Sequence, residues 1–523
     1  MRIIQIIASY KPAYIYGGPT MSVAKLCEAL VKEKTKDQSL KLKDRETNQG
    51  SIESPFRIGG DQNEKTKDQS SKTKGEETKN EQRTTIKENQ ILDIEVFTTL
   101  ANGKTELNIK SNERQIVDGV PVTYFNRITK DHTHFSPALL LALRRRIQSH
   151  KKNIIVTQRN SVNNSLSFGE GRGEALVIHI HAWWNLVSIF SCLIAKWYKI
   201  PVVLSPRGML TSYTQENRNG FVKKIIHQLL GKRLLSYCHI HATSELEKQD
   251  ILNFIQPKSI TVIPNLVELG NAQGVESEKL RVESLGIKPA GRTGWDQSLK
   301  TKDPKANKEQ GAKSNEEALK TNEQTSTTYN VQRHTTYDIR QTINEPRPFK
   351  LIFLSRIEEK KGLELLFEAL AKLKFTWELT IAGSGEEEYV ESLMTKVKSL
   401  KLDAKVNWVG QVNNDAKFNL LAQHDLMVLT SYNENFANVV VESLSVGTPV
   451  LISNKVGLAD YVKENNFGWI TNLEAKQIGE EIEKAFVDIQ SRNLIRENAP
   501  TTIAHDFSAH LVDRYIQLYQ TIS

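Results

Sequence analysis

Cysteine is scarce in this 523-residue chain, which has Cys27, Cys192 and Cys238 and no others. They are far apart, sit among apolar neighbours and share no metal-ligand spacing. That argues against a disulfide framework and for reduced core residues of a cytosolic protein. A long apolar run is also missing. A bilayer span needs roughly 18 or more apolar residues, whereas Leu186 to Ala195 is interrupted by serines and ends at Lys196. The N-terminus, Met1 to Ala8, carries one charge and a short apolar run, and reads as a strand rather than a signal peptide. The expectation is a soluble cytoplasmic protein, at most peripheral on the inner face of the plasma membrane. Apolar residues make up only 39% of the chain and the mean hydropathy is -0.43, so polar stretches must dilute otherwise ordinary domains. The net charge of +9 suits nucleic acid, an anionic membrane or a phosphorylated substrate, and alone selects none of them.

The polar stretches can be located. Residues 33–90 are Lys, Glu, Asp, Gln, Thr and Ser with Phe56 as their one aromatic, too little apolar surface to fold alone. Thr35-Lys-Asp-Gln-Ser recurs at Thr66, and Asp296-Gln-Ser-Leu-Lys-Thr-Lys-Asp echoes it downstream. The irregular period excludes a solenoid. Residues 150–174 and 287–346 are similar in character. All three are read as disordered insertions. Gly169-Glu-Gly-Arg-Gly lacks a preceding strand and a following Lys-Ser/Thr, so it reads as linker rather than phosphate loop.

Between the insertions, strands and amphipathic helices alternate. Arg2 to Ala8 is a strand, followed by a loop with Gly17 and Gly18, where a missing Cβ lets the backbone approach a phosphate. Strands follow over residues 91–99 and 120–125, and His134 to Ser149 reads as a helix. Leu176-Val-Ile-His-Ile-His runs into Trp183 and Trp184, with His179 and His181 on one face of the strand. They could form a metal pair, but no third ligand lies nearby. Pro206-Arg207-Gly208 follows the strand at 201–205. Phe221 to Leu235 is a basic helix, suited to anionic lipid or to plain solvent. In the second half, Lys350 to Leu354 is a strand leading to Arg356, Lys360, Lys361 and Gly362. Two spaced cations beside a helix start make an anion site. Strands also end at Gly383 and Gly410. Leu426 to Leu429 is a buried strand, then come Glu434 in a polar loop, a helix over 436–446 carrying Glu442, Gly447 as its C-cap, and a strand from Thr448.

The string Glu434-x7-Glu442 with Ser-x-x-x-Gly-Thr-Pro-Val resembles the donor site of retaining glycosyltransferases of family 4, of the type that builds bacterial surface polysaccharides. Residues 179–210 and Arg356-x4-Lys361-Gly resemble the same family. Leu266 stands where the family's Ile-Pro-Asn-Gly turn has glycine. The resemblance implies an α/β chain with the GT-B fold, two Rossmann-like domains facing across a cleft. The expected domains are 1–265 and 266–504, with residues 505–523 crossing back onto the first. It implies that Arg356 and Lys361 hold the donor diphosphate, Glu434 lies by the donor hexose and Glu442 holds the ribose. His181 would lie beside the sugar. Arg207, Gly17, Gly18, Gly383, Gly410 and the segment Asn435, Phe436, Ala437, Asn438 would border the donor. The expected partners are a UDP- or GDP-type sugar and a glycan or lipid-linked acceptor, with no nucleic acid, no cofactor and no metal. A nucleotide-sugar epimerase on the same fold, or a non-catalytic relative, are the competing readings.

Overall fold

In a computed structural model of the chain, residues 1–49, 92–131, 133–163, 175–211, 227–270, 347–508 and 510–523 are described. The chain divides into two compact units, 1–275 with 348–523, and 276–347. Both large sheets and every residue of the candidate site belong to the first unit.

Its N-terminal sheet is built from β1 (Arg2–Ile6), β2 (Asp93–Thr99), β5 (Arg114–Val117), β6 (Val120–Phe125), β7 (Leu176–His181), β8 (Val202–Ser205), β9 (His239–Ala242) and β10 (Ser259–Val262). Two short strands, β3 (Ala101–Asn102) and β4 (Thr105–Glu106), form a separate hairpin. The sheet order is β10-β9-β8-β7-β1-β2-β6-β5, and every pairing is parallel except that of edge strand β5 with β6. β7 is buried along its whole length, as expected where helices cover both faces of a parallel sheet, and it carries two buried histidines, His179 and His181. The second sheet holds β11 (Phe349–Leu354), β12 (Trp377–Ala382), β13 (Val406–Gly410), β14 (Leu426–Leu429), β15 (Val450–Ser453) and β16 (Gly468–Thr471). Its order is β13-β12-β11-β14-β15-β16, wholly parallel. That is the doubly wound arrangement, with the strand order reversing between β11 and β14. In the first sheet the reversal falls between β1 and β7.

Helix Gly18–Gln49 lays Val23, Leu26, Cys27 and Leu30 against the first sheet, all almost fully buried. The sequence pattern ends this helix near residue 33 and the next near 149. The structure instead continues them to Gln49 and, for Pro137–Asn163, to Asn163. Lys, Glu, Gln and Arg are good helix formers, and propensity carries a helix past the end of its apolar face. Residues 50–91, 164–174 and 271–346 lie outside the described residues, as does the first half of the expected basic helix, residues 221–226. The rest of that helix is a π-helical turn, His227–Gly231, and the short helix Lys232–Leu235.

Helix Ile489–Asp506 packs on helix Asn438–Ser445 of the second sheet. The final helix, His510–Ile522, then reaches the first sheet, where Arg514 donates to the Val262 carbonyl at 2.7 Å and Tyr515 and Tyr519 enter its buried polar interior. One hydrophobic cluster runs from Ile3 and Leu26 through Leu511, Tyr515 and Tyr519 to Phe353 and Leu451, joining the two sheets.

Candidate functional site

Loops beyond the carboxyl ends of both sheets carry the predicted residues. At the second sheet's reversal, Gly362 has φ +65°, and a Cβ there would lie 2.2 Å from the Thr430 carbonyl oxygen. Only glycine allows the β11 loop to press so closely on the β14 loop. Thr430 Oγ1 donates to the Gly362 carbonyl (2.9 Å) and Tyr432 N to the Lys360 carbonyl (2.8 Å), which ties the loops together. Lys361, 5% exposed, is thereby placed with its ammonium on Glu434 Oε2. Burial pulls the Lys361 pKa down, with Glu434 opposing. Burial alone would raise the Glu434 carboxyl, but Lys361, Lys360 and Arg356 outweigh it and hold it below its usual 4.5. Arg356 is half exposed and pairs with Glu358, as does Lys360 at 3.3 Å. Three cations and two carboxylates thus share one strand mouth.

The second acid of the motif is elsewhere. Glu442 pairs with Lys417 at 2.9 Å, both side chains largely buried. Burial raises its carboxyl pKa, with Lys417 opposing. Nothing brings Glu442 to Glu434; each has its own lysine. The helix carrying Glu442 starts at Asn438, two residues later than the pattern suggests, with Ala437 in a left-handed conformation at its N-cap (φ +68°). Phe436 does not face the cleft. It is 2% exposed and packs edge-on to Phe507, 6.1 Å between centroids. Gly447 closes the helix with φ +77° and its N–H on the Leu444 carbonyl, as the C-cap reading requires.

Across the cleft, Arg207 and Gly208 follow β8, both with positive φ. Arg207 Nη1 donates to Ser22 Oγ (2.8 Å) and to Asn265 Oδ1 (2.9 Å). Asn265 Nδ2 in turn donates to Asn438 Oδ1 (3.1 Å), and Asn438 Nδ2 to the Gly18 carbonyl (3.4 Å). Asn435 Nδ2 reaches Thr243 Oγ1, while Ser244 Oγ donates to the Asn435 carbonyl (2.9 Å). Asn435 Oδ1 is buried and has no hydrogen-bond partner among the described residues. So Gly18, Arg207, Gly208, Asn435 and Asn438 are brought together. Gly17 (φ +63°) stands one residue before that contact. Gly383 and Gly410 are joined to each other, Gly383 N donating to the Gly410 carbonyl at 2.7 Å, at the ends of β12 and β13.

His181 is fully buried, with Nε2 against Gln5 Oε1 (2.8 Å) and Nδ1 3.4 Å from Arg207. Its ring lies 4.1 Å from that of His179. His179 contacts Tyr519 and Ser205, both at 2.7 Å. All four ring nitrogens therefore face protein partners. Burial, then His179 and Arg207, push His181 well below its usual 6.5, so it is neutral.

Sequence reasoning missed Gln5, Ser22, Glu247, Asn265 and Lys417. Ser244 caps helix Glu245–Phe254, its Oγ accepting from the Glu247 N–H at 3.1 Å. The carboxylate itself, however, takes the N–H of Gly208 and of Thr243, each at 2.7 Å, and so pins the Arg207 loop. Asn265 had a signal, its place in the Ile-Pro-Asn string. Lys417 had none.

Residues 91–271 match the family described as Glycosyltransferase Family 4, and residues 336–502 match Glycosyl transferases group 1. Among curated proteins, the uncharacterized glycosyltransferase MJ1607 of Methanocaldococcus jannaschii is 31% identical over 30% of this chain and 41% of its own length. The lipopolysaccharide core biosynthesis glycosyltransferase LpsE of Rhizobium meliloti is 29% identical over 32% of this chain and 48% of its own. The chain thus spans less than half the length of these relatives. Among solved structures, Alr3699/HepE of Anabaena in complex with UDP-glucose superposes with a TM-score of 0.56 at 14% identity, covering 100% of this chain and 99% of that one. At that identity the likeness concerns the fold. The two family matches fall one on each sheet, and the chain has the GT-B fold, with residues 91–271 similar to the first family and residues 336–502 similar to the second.

Proposed function

We propose that the chain moves a hexose from a nucleotide-diphosphate sugar, of uridine or guanosine type, to a glycan or lipid-linked acceptor. We propose further that it retains anomeric configuration, uses no metal and serves cell-surface polysaccharide synthesis. The carrying observation is the Lys361–Glu434 pair, a desolvated ammonium on a carboxylate at the reversal of the second sheet. Ligands of open α/β sheets bind outside the carboxyl ends of the strands at this point.

As the bond from the sugar to the diphosphate breaks, negative charge grows on the leaving oxygens. Lys361, with Arg356 and Lys360 on the same loop, supplies fixed positive charge there without a metal. Glu434, ionised at neutral pH, lies next to the ammonium and within reach of the sugar in this reading. Retaining glycosidases use two carboxylates across one bond, but Glu442 is tied to Lys417 in a separate pair. The mechanism proposed is therefore same-face attack. The acceptor oxygen bonds to the anomeric carbon as the diphosphate departs, and the acceptor proton passes to the leaving phosphate oxygen.

Support for a peripheral membrane contact lies on the first sheet's outer helices. Helix Leu186–Trp197 ends in Trp197, 82% exposed, and helix Pro137–Asn163 exposes Leu141, Ile155 and Val156. Lys151 sits 5.6 Å over the Tyr198 ring and Arg144 donates to its hydroxyl, so cations lie beside the residue that follows Trp197. Among the described residues no helix is long and apolar enough to cross a membrane.

The test is release of UDP or GDP from a panel of nucleotide sugars, with and without a chelator. Turnover of one donor that survives chelation supports the reading. Stereochemistry of the product glycoside tests retention, and inversion would refute it.

A further inference from the structure

The buried polar groups of the first sheet form one continuous chain of hydrogen bonds whose direction is fixed at both ends. At one end His241 Nε2 faces the Ile263 carbonyl at 2.8 Å, and a carbonyl oxygen can only accept. His241 is fully buried and pushed down to about 3, so it is neutral and its Nδ1 must accept, from Ser205 at 2.6 Å. Ser205, having given its proton, accepts from His179 Nε2 (2.7 Å). Neutral His179 then accepts at Nδ1 from the Tyr519 hydroxyl (2.7 Å). Tyr519 accepts from Gln5 Nε2 (3.2 Å), Gln5 Oε1 from His181 Nε2 (2.8 Å), and His181 Nδ1 from Arg207 (3.4 Å). A guanidinium can only donate, so the sense set at Arg207 agrees with the sense set at Ile263. A flipped Gln5 amide or another His181 tautomer would turn two donors against each other.

We propose that Tyr519, on the last helix of the chain, is a positioning residue for the cleft: through Gln5 it fixes His181 as the Nε2–H tautomer, and so presents a lone pair that holds the Arg207 guanidinium in place. This rests on the proposed function in one respect, that Arg207 borders the donor. Tyr519 is fully buried and 514 residues from Gln5 in sequence, so the contact exists only when the final helix is docked. Docking of the helix and the geometry of the cleft arginine are then one event. Tyr515, on the same helix, reaches His241 at 3.1 Å, but the Ile263 carbonyl already takes that proton, so Tyr515 lies off the chain.

The experiment uses the full chain with ¹⁵N-labelled histidine, reading ring tautomers by NMR, alongside nucleotide release. The His181 signals are assigned by their loss in His181→Gln. Wild type should show His179, His181 and His241 neutral with Nε2 protonated. Tyr519→Phe should convert His181 to a tautomer mixture and lower kcat about 10- to 100-fold, the scale of a small misplacement at a reacting centre, with KM within about twofold. Gln5→Leu cuts the next link and should reproduce both changes. Tyr515→Phe, which loses a hydroxyl from the same helix, should change neither. An unaltered His181 tautomer in both Tyr519→Phe and Gln5→Leu overturns the proposal whatever the activity. An altered tautomer with wild-type kcat overturns the positioning role. If wild type releases nucleotide from no donor, the transferase reading fails, while the spectra still decide whether the chain exists.

Discussion

Lys361 and Glu434 show how one buried pair can make a pH-dependent site. The folded-state pKa of Glu434 lies below its usual 4.5. Its contribution to stability is therefore present at neutral pH and is lost as pH falls through and below 4.5. Thermal midpoints measured from pH 7 to pH 3 should fall more steeply for wild type than for Glu434→Gln. Parallel curves would mean that the pair is not formed. Lys361 is lowered from 10.5, the opposite case for a base. Its charge costs stability at neutral pH, and stability from this group rises with pH on the way to 10.5. A buried ammonium kept at such a cost suits an anion that arrives later. Lys361→Ala should reduce kcat/KM for the donor by about 10²- to 10³-fold, the usual loss for one charge-stabilising donor. Steady-state nucleotide release checks this.

At the scale of elements, the strands were legible and the helix ends were not. β7 and β14 are buried on both faces; β14 is a continuous apolar run and β7 opens with one, Leu176-Val-Ile, so both stand out from any neighbouring pattern. Helices Gly18–Gln49 and Pro137–Asn163 run beyond their apolar faces into Lys- and Gln-rich sequence, where hydrophobic periodicity says nothing. The Lys361 loop could be read because its cations lie five apart in one string. The Asn265–Asn438 bond joins residues 173 apart, and no local pattern announces it. Phe436 is expected at the donor by resemblance, while its side chain lies in the core against Phe507, next to the left-handed Ala437. Phe436→Ala should therefore cost roughly 3–5 kcal/mol of stability, seen in denaturant unfolding. Gly362→Ala would set a Cβ 2.2 Å from the Thr430 carbonyl at φ +65°. It should destabilise the protein by at least about 1–3 kcal/mol of backbone strain and separate Lys361 from Glu434.

For the whole molecule, the alternation of strands and helices and the motifs in their loops point from sequence to two α/β sheets, and the structure has both. The strand orders show two doubly wound sheets, each reversing where site-bearing loops emerge. The polar composition of residues 33–90 lowers the chain's mean hydropathy. Deleting residues 36–88 should leave a folded protein with an unchanged thermal midpoint, because the helix face carrying Val23, Leu26, Cys27 and Leu30 ends before the cut. Loss of soluble protein would show that the stretch packs on something. Everything proposed for the molecule depends on the second sheet's reversal point binding and activating a nucleotide-diphosphate sugar through Lys361 and Glu434. The decisive experiment is nucleotide release from a donor panel by wild type, Lys361→Ala and Glu434→Ala at equal folded concentration. Wild type should turn over one donor, with a loss of about 10²-fold or more in each variant. Equal turnover in all three, or no turnover of any donor together with no shift in melting temperature, would contradict it.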